Sequence, residues 1–278
     1  MKMGLKNLAS NKKIKVIFIM GATATGKTKL SIDLARYFGG EIINSDKIQV
    51  YRGLDIVTNK VTEEERHGVP HHLLGFVDPD EDFTVNDFCH HVLKAIDRII
   101  QNGRIPIIAG GSNTYVETLV ENTKINFLTH FDCCFLWMDV QLPVLYKRVR
   151  QRVDEMVEAG MVDEVGEMFV TEADYERGVR RAIGAPELDK YFRAKEENAE
   201  TKKQLLEEGI EEMKVNTLKL VIRQIEKIER LRDYRRWPLH RLDATPVFEN
   251  GGKGDLNAWN NMVMKPSREV VTAFLNNC

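Results

Sequence analysis

Short apolar runs alternate with helical patterns along the first half of the chain, the signature of a doubly wound parallel sheet. The runs are 14–20, Glu41-Ile42-Ile43 leading to Asp46, 105–109, and Cys133 to Val140. After the first run, Leu30, Leu34 and Phe38 recur on one helical face until Gly39-Gly40 stops the pattern. A second helix is predicted from Thr84 to Gln101. Thr84 caps it, Asp87 stands at the capping-box position, Phe88, Val92 and Ile99 form the apolar stripe, and Gly103 ends it. From about residue 142 to 236 the pattern becomes charged and helical. Lys195 to Glu212 reads as a solvated, mobile helical face, and Leu218, Ile222, Ile225 and Ile228 as the apolar stripe of a long helix ending near Trp237-Pro238. Leu239 to Thr245 returns as a last strand, Gly251-Gly252 and Gly254 mark a loop, and a closing helix follows Pro266. The expected fold is therefore α/β: a doubly wound parallel core over 14–145, rejoined by about 238–278, with a smaller helical region at 146–237 serving as lid.

Composition narrows the class only a little. With 278 residues, 43% hydrophobic and 29% charged, the chain has ordinary globular values and room for one large domain with an annex. No apolar stretch approaches the roughly 18 residues of a membrane span. A net charge of −2 gives no general attraction to nucleic acid or anionic membranes. Cys89, Cys133, Cys134 and Cys278 show no C-x-x-C spacing, so a zinc site is not expected and reduced thiols in a reducing compartment are. The first fifteen residues carry Lys2, Lys6, Lys12, Lys13 and Lys15 without an acid, and lack the apolar core of a secretory signal.

The decisive chemistry lies between the first strand and its helix. Gly21-Ala22-Thr23-Ala24-Thr25-Gly26-Lys27-Thr28 fits the phosphate-loop pattern G-x-x-x-x-G-K-[ST], and a strand–loop–helix context turns that spelling into a site. The glycines let backbone N–H groups converge on phosphate oxygens, and the helix N-terminus adds positive potential. Lys27 supplies a full charge to terminal phosphates, and the Thr28 hydroxyl reaches a Mg²⁺ ion. A polyphosphate is the expected ligand.

The second strand delivers Asn44-Ser45-Asp46-Lys47 at its carboxyl end, where open α/β sheets place ligands. Asp46 is thus expected near the phosphates, orienting Mg²⁺ or acting as a base toward an acceptor; the alternative is an aspartate capping a helix. Asp139, ending the Cys133–Val140 run, ranks below it as a structural acid. Gly110-Gly111-Ser112-Asn113 opens another helix and offers a second set of amides for an anion or a base edge. His71-His72 has no third ligand at a helpful spacing, so structural loop histidines are expected there.

These segments together resemble the adenine isopentenyltransferases. The likeness rests on Ile43-Asn44-Ser45-Asp46-Lys47-Ile48-Gln49-Val50-Tyr51, Thr58-Asn59-Lys60, Pro70-His71-His72-Leu73-Leu74 and Ala109-Gly110-Gly111-Ser112-Asn113. It continues through Arg148-Val149-Arg150-Gln151-Arg152 with Met156 and Gly160, then Arg180-Arg181-Ala182-Ile183-Gly184. It spans about Lys15 to Thr245 in order. The Gly-Gly-Ser-Asn spelling and Leu239-His240-Arg241-Leu242-Asp243-Ala244-Thr245 are similar to the plant adenylate branch, which makes the first cytokinin precursor.

The resemblance implies transfer of a five-carbon allyl group from dimethylallyl diphosphate to N6 of an adenine nucleotide. On this reading the phosphate loop holds the donor's diphosphate, Arg181 closes over it, Asp46 takes the N6 proton, and Ser45 or Ser112 helps fix the base. Mg²⁺ is the implied cofactor. Lys219 and Arg223, with Lys227, lie at spacings of four on the long helix and are candidates for the acceptor's phosphates; a merely solvated helix face is the alternative. The rival acceptor is transfer RNA, with its local support in Arg230, Arg232, Arg235, Arg236 and Arg241; net charge and the lack of a C-terminal Cys/His finger favour free nucleotide. A small-molecule P-loop kinase is the rival chemistry. A monomer is favoured. The resemblance implies plastid residence with a transit peptide absent or trimmed, and the cytoplasm is the alternative.

Overall fold

A computed structural model describes residues 13–194, 197–249 and 255–277. The expectations for Lys2, Lys6, Lys12, Lys195, the 251–254 glycine loop and Cys278 lie outside the described residues. Six parallel strands form one sheet: β1 (Ile14–Gly21), β2 (Gly40–Asn44), β3 (His71–His72), β4 (Ile105–Ala109), β5 (Phe131–Asp139) and β6 (Leu239–Asp243), in the order β3-β2-β4-β1-β5-β6. Along β1, Val16, Phe18 and Met20 enter one core and Ile17 and Ile19 the other. A parallel sheet buried on both faces needs this unbroken apolar run. The order reverses at β1, flanked by β4 and β5, so its carboxyl end opens a crevice there.

The predicted elements form with small shifts. The phosphate-loop helix runs Lys27–Phe38 and stops at Gly39, whose φ of 72° is the left-handed conformation that glycine tolerates. The helix Val85–Gln101 carries the expected reciprocal cap between Thr84 and Asp87. β2 ends at Asn44 because its side-chain oxygen accepts the Asp46 N–H at 3.1 Å and its amide donates to Leu73 O at 3.0 Å. β6 ends at Asp243, whose carboxylate accepts the Thr245 N–H at 2.9 Å and turns the chain into the short helix Thr245–Phe248.

Three expectations need correction. His71-His72 forms the edge strand β3, not a loop, and His72 Nε2 pairs with Glu41 Oε2 at 2.7 Å; two residues carry too little pattern to announce a strand. The long helix is Ala199–Asp233, but its buried row is Met213, Val221, Gln224, Ile228 and Leu231, while Ile222 is 40% exposed. Of the expected stripe, Ile228 is buried and Leu218 and Ile225 pack against the core, so Ile222 alone is turned outward. The same helix is not solvated throughout its first turns. Leu206 and Ile210 pack on the core, and at Gly209 a Cβ would come 2.7 Å from Glu187 O, so glycine lets the two backbones abut. Val153, Met156, Met161, Val179 and Met213 of the helical region share one apolar cluster with Phe18 and Phe135 of the sheet.

The closing helix Lys265–Asn276 continues a helical run that begins at Leu256 and widens into a π-helical segment at Trp259–Met264, so Pro266 follows a stretch where the regular hydrogen-bond ladder is already interrupted. Lys15, on β1, donates to the carbonyls of Phe274 (2.5 Å), Leu275 (3.0 Å) and Asn277 (2.5 Å), satisfying the orphan acceptors at that helix's end. Lys15→Met is expected to lower stability by about 2 kcal/mol, a fall of roughly 5 °C in Tm. An unchanged melting curve would remove this cap from the account.

Candidate active site

The phosphate loop is shaped from behind and open in front. Gly21 has no room for a side chain, because a Cβ would lie 2.6 Å from Met138 O on β5. Buried Thr25 braces the loop by donating its Oγ1–H to Ala22 O at 2.9 Å. Gly26, at φ 91°, starts the helix at Lys27 and leaves space for the Trp259 ring. Gly21, Ala22 and Thr25 thus form the loop's back, while Thr23, Ala24, Gly26, Lys27 and Thr28 line a cleft of about 1120 Å³. Lys27 Nζ donates to Ala22 O at 2.6 Å. Burial, then the neighbouring Arg152 charge, pull its pKa down to about 7, with Asp46 opposing them. A group so placed has little water and gains most from an arriving anion.

Asp46 stands across the cleft at the carboxyl end of β2. Its Oδ1 accepts the backbone N–H of Ile48 at 2.9 Å and of Gln49 at 3.4 Å, so the capping alternative accounts for one oxygen. Oδ2 has no hydrogen-bond partner among the described residues and lies toward Gly111, where a Cβ would sit 3.5 Å from it. One carboxylate therefore holds its own loop with one oxygen and presents the other to the cleft.

The Gly110–Asn113 turn supports that loop. At Gly110 a Cβ would come 2.4 Å from the Ser45 carbonyl carbon and 2.7 Å from Asp46 N, so only glycine allows the two loops to touch. Ser112 Oγ accepts the Lys47 N–H at 2.9 Å, and Ser112 N–H donates to Ser45 O at 3.1 Å. Ser112 fixes the Asp46 loop and lines the cleft; Ser45 does not reach it. The Ser45 side chain, 1% exposed, packs under Gly110 just beyond the end of β2. Asn113 is buried at the cleft wall with Oδ1 unpartnered.

The helical region closes the other side. Arg181 lines the cleft, held by donation to Gly178 O at 3.2 Å and to the Tyr51 hydroxyl at 3.0 Å. Arg223 reaches the cleft wall, whereas Lys219 is exposed outside it and donates to Asn216 Oδ1 at 3.1 Å. Spacing by four put the two on one side of the helix but could not tell which side faces the cleft. Lys227 lines the cleft while paired with Glu117, which also binds Arg230. Arg232 pairs with Asp233, Arg235 with Glu121 at 3.4 Å, and Arg241 with Asp139 at 2.7 Å. Most of the local basic run is therefore neutralised by neighbours, and Asp139 is the structural acid expected.

Two residues missed as site residues meet on Thr23. Arg152, from the helix Leu142–Glu158, donates to Thr23 Oγ1 at 3.2 Å, and burial together with Arg148 lowers its pKa to about 10. Gln224, buried in the long helix, accepts the Thr23 N–H at 2.8 Å and donates to Gly111 O at 3.0 Å. A signal for Arg152 existed: Arg148, Arg152 and Glu155 each precede one of the buried Val149, Val153 and Met156, so they border the apolar stripe. Gln224 had none beyond its place among the apolar residues of a helix face.

Lys27 and Arg152, with the Asp46 carboxylate close enough to act on both charges, share one cleft with Arg181, and the cleft can hold an oligophosphate and take a proton. Comparison with known proteins gives the family. The IPP transferase family profile matches residues 49–130 and 121–230. Adenylate isopentenyltransferase 3, chloroplastic, of Arabidopsis thaliana is 53% identical over 95% of this chain and 80% of its own length. Adenylate isopentenyltransferase 5, chloroplastic, of the same plant is 54% identical over 95% and 81%, and adenylate isopentenyltransferase 7, mitochondrial, is 48% identical over 95% and 82%. Among solved structures, a eukaryotic dimethylallyltransferase acting on tRNA superimposes with a TM-score of 0.80 at 28% identity, covering 95% of this chain and 80% of that one. The tRNA isopentenylpyrophosphate transferase of Bacillus halodurans gives 0.73 at 25% identity over 95% and 98%. The chain belongs to the IPP transferase family, in its adenylate isopentenyltransferase branch.

Proposed function

We propose that this enzyme transfers the dimethylallyl group from dimethylallyl diphosphate to N6 of the adenine of ATP, ADP or AMP, releasing diphosphate as the first step of cytokinin synthesis. The observation that carries the reading is the free Asp46 oxygen facing the phosphate loop across a cleft that also holds Arg152 and Arg181. The diphosphate is cradled by the loop amides, Lys27 and the two arginines. As the C1–O bond breaks, negative charge grows on the leaving oxygen where these groups are already aimed. The adenine amine donates its lone pair to C1, and its proton passes to Asp46. Walls from Val153, Met156 and Met213 exclude water from the allylic centre, and the 146–237 region serves as the lid.

Mg²⁺ fits the residues present. Thr28 and Asp46 face the same cleft, and among the described residues no three acidic, His or Cys side chains form a cage. A Mg²⁺ would be held by the Thr28 hydroxyl and the donor's diphosphate oxygens, which leaves the free Asp46 oxygen to take the N6 proton. When bound it neutralises leaving-group charge.

The direct test follows diphosphate. One diphosphate released per adenine nucleotide consumed, with no loss of the nucleotide's γ-phosphate, supports prenyl transfer; γ-phosphate transfer to a small hydroxyl compound makes the enzyme a kinase. A second expectation concerns pH. Donor binding requires protonated Lys27, whose pKa is about 7 in the free protein, so donor KM is expected to rise about fivefold between about pH 7 and 8. Lys27→Met should flatten that dependence, and an equal slope in both proteins would assign it elsewhere. We also place the enzyme in the plastid, as two of its relatives are named chloroplastic; a fluorescent fusion of the complete coding sequence found only in cytosol contradicts this.

A further inference from the structure

We infer that Gln224 is a positioning residue for prenyl transfer: a strut that sets the spacing between the phosphate loop and the turn supporting Asp46. The inference rests on the proposed reaction and concerns a side chain that the reaction itself does not require. Gln224 joins three segments far apart in the chain. Its Oε1 accepts the Thr23 N–H at 2.8 Å, its Nε2 donates to Gly111 O at 3.0 Å, and its backbone carbonyl accepts from Asn113 Nδ2 at 3.3 Å. It is 7% exposed, so water replaces neither bond readily. Gly111 is fitted to it, since a Cβ there would lie 2.5 Å from Gln224 Nε2.

The chemistry of the amide is what the position demands. One partner is a backbone donor and the other a backbone acceptor, and only a side chain with both functions satisfies the two at once. The phosphate loop carries the donor substrate, and the Gly110–Asn113 turn holds the Asp46 loop through Ser112. The strut therefore spans the two halves of the reaction. Its loss lets them drift without removing a charge from either, and a drift of about 1 Å costs on the order of a hundredfold in rate.

Two variants separate positioning from folding. Gln224→Leu removes both bonds; kcat is expected to fall roughly 30- to 100-fold with both KM values within about threefold. Gln224→Glu is isosteric. As a carboxylate it still accepts from Thr23 but has no proton for Gly111 O; as a carboxylic acid it restores both bonds. Its activity relative to wild type should therefore rise as pH falls from about 8 to about 6, a signature that a purely structural glutamine does not give. Wild-type kcat in the leucine variant, activity loss wholly matched by unfolded protein, or a glutamate profile superimposed on wild type each overturns the strut. Wild-type protein is assayed alongside: absence of prenyl transfer there refutes the assigned reaction, whereas normal wild-type turnover with unaltered variants refutes only the role of Gln224.

Discussion

Prenyl transfer by Asp46→Asn is expected to fall about a thousandfold in kcat, with donor KM changed less than about threefold. Asparagine keeps an oxygen for the Ile48 N–H, now accepted by Asp46 Oδ1 at 2.9 Å, so the loop retains its turn. It cannot take the N6 proton. The adenine amine is a weak nucleophile because its lone pair is delocalised into the ring, and an accepting carboxylate returns electron density as the new bond forms. Asp46→Ala should be equally inactive and, having lost the turn cap, less stable by about 1 kcal/mol. The pair of variants thus separates the two oxygens: one carries the chemistry and the other the loop. An asparagine variant within tenfold of wild type would move the base to another group.

The second large effect is on donor binding. Lys27→Met is expected to raise donor KM about a hundredfold or more, because a charge-assisted contact to the diphosphate is lost in a site with little water. The same change should stabilise the protein. The Lys27 pKa is about 7 when folded against an ordinary 10.5. Below about 7 the ammonium is charged in both states and the fold bears the full cost of burying it. Between 7 and 10.5 the folded state has released the proton and the unfolded state has not, so native stability rises with pH. The methionine variant should therefore gain most in Tm below pH 7 and least at high pH, where the wild-type amine is already neutral. A destabilised variant, or one with normal donor affinity, contradicts the assignment. Stability given up at a binding residue is the usual signature of function.

What the sequence disclosed divides by distance along the chain. The phosphate loop, the cap at Thr84 and the stop at Gly39 are local, and their residues contain the reason for their shape. Asp46 was legible because a strand's carboxyl end in such a sheet faces the ligand. Gln224 was not, since it touches Thr23 from 201 residues away, and Arg152, 129 residues away, was legible only as a residue bordering an apolar stripe. Helical periodicity tells which residues share a face but not which face meets the cleft, so Lys219 and Ile222 were turned the wrong way. Ser45 is drawn into the site by its neighbour Asp46, although the contact with Gly110 that buries its side chain comes from a distant segment. Of the acids that pair with the basic run near Arg235, Asp233 is the sequence neighbour of Arg232, whereas Glu117, Glu121 and Asp139 are brought to it by the fold.

The measurement that bears most directly on the central claim is a competition among acceptors. Purified protein, Mg²⁺ and dimethylallyl diphosphate are mixed with ATP, ADP, AMP or unmodified transfer RNA in parallel, and products are read by mass spectrometry. The account predicts a mononucleotide heavier by one five-carbon unit attached to the adenine, with RNA unmodified. Prenylated RNA with unchanged nucleotides, or no prenylated product at all, would contradict it.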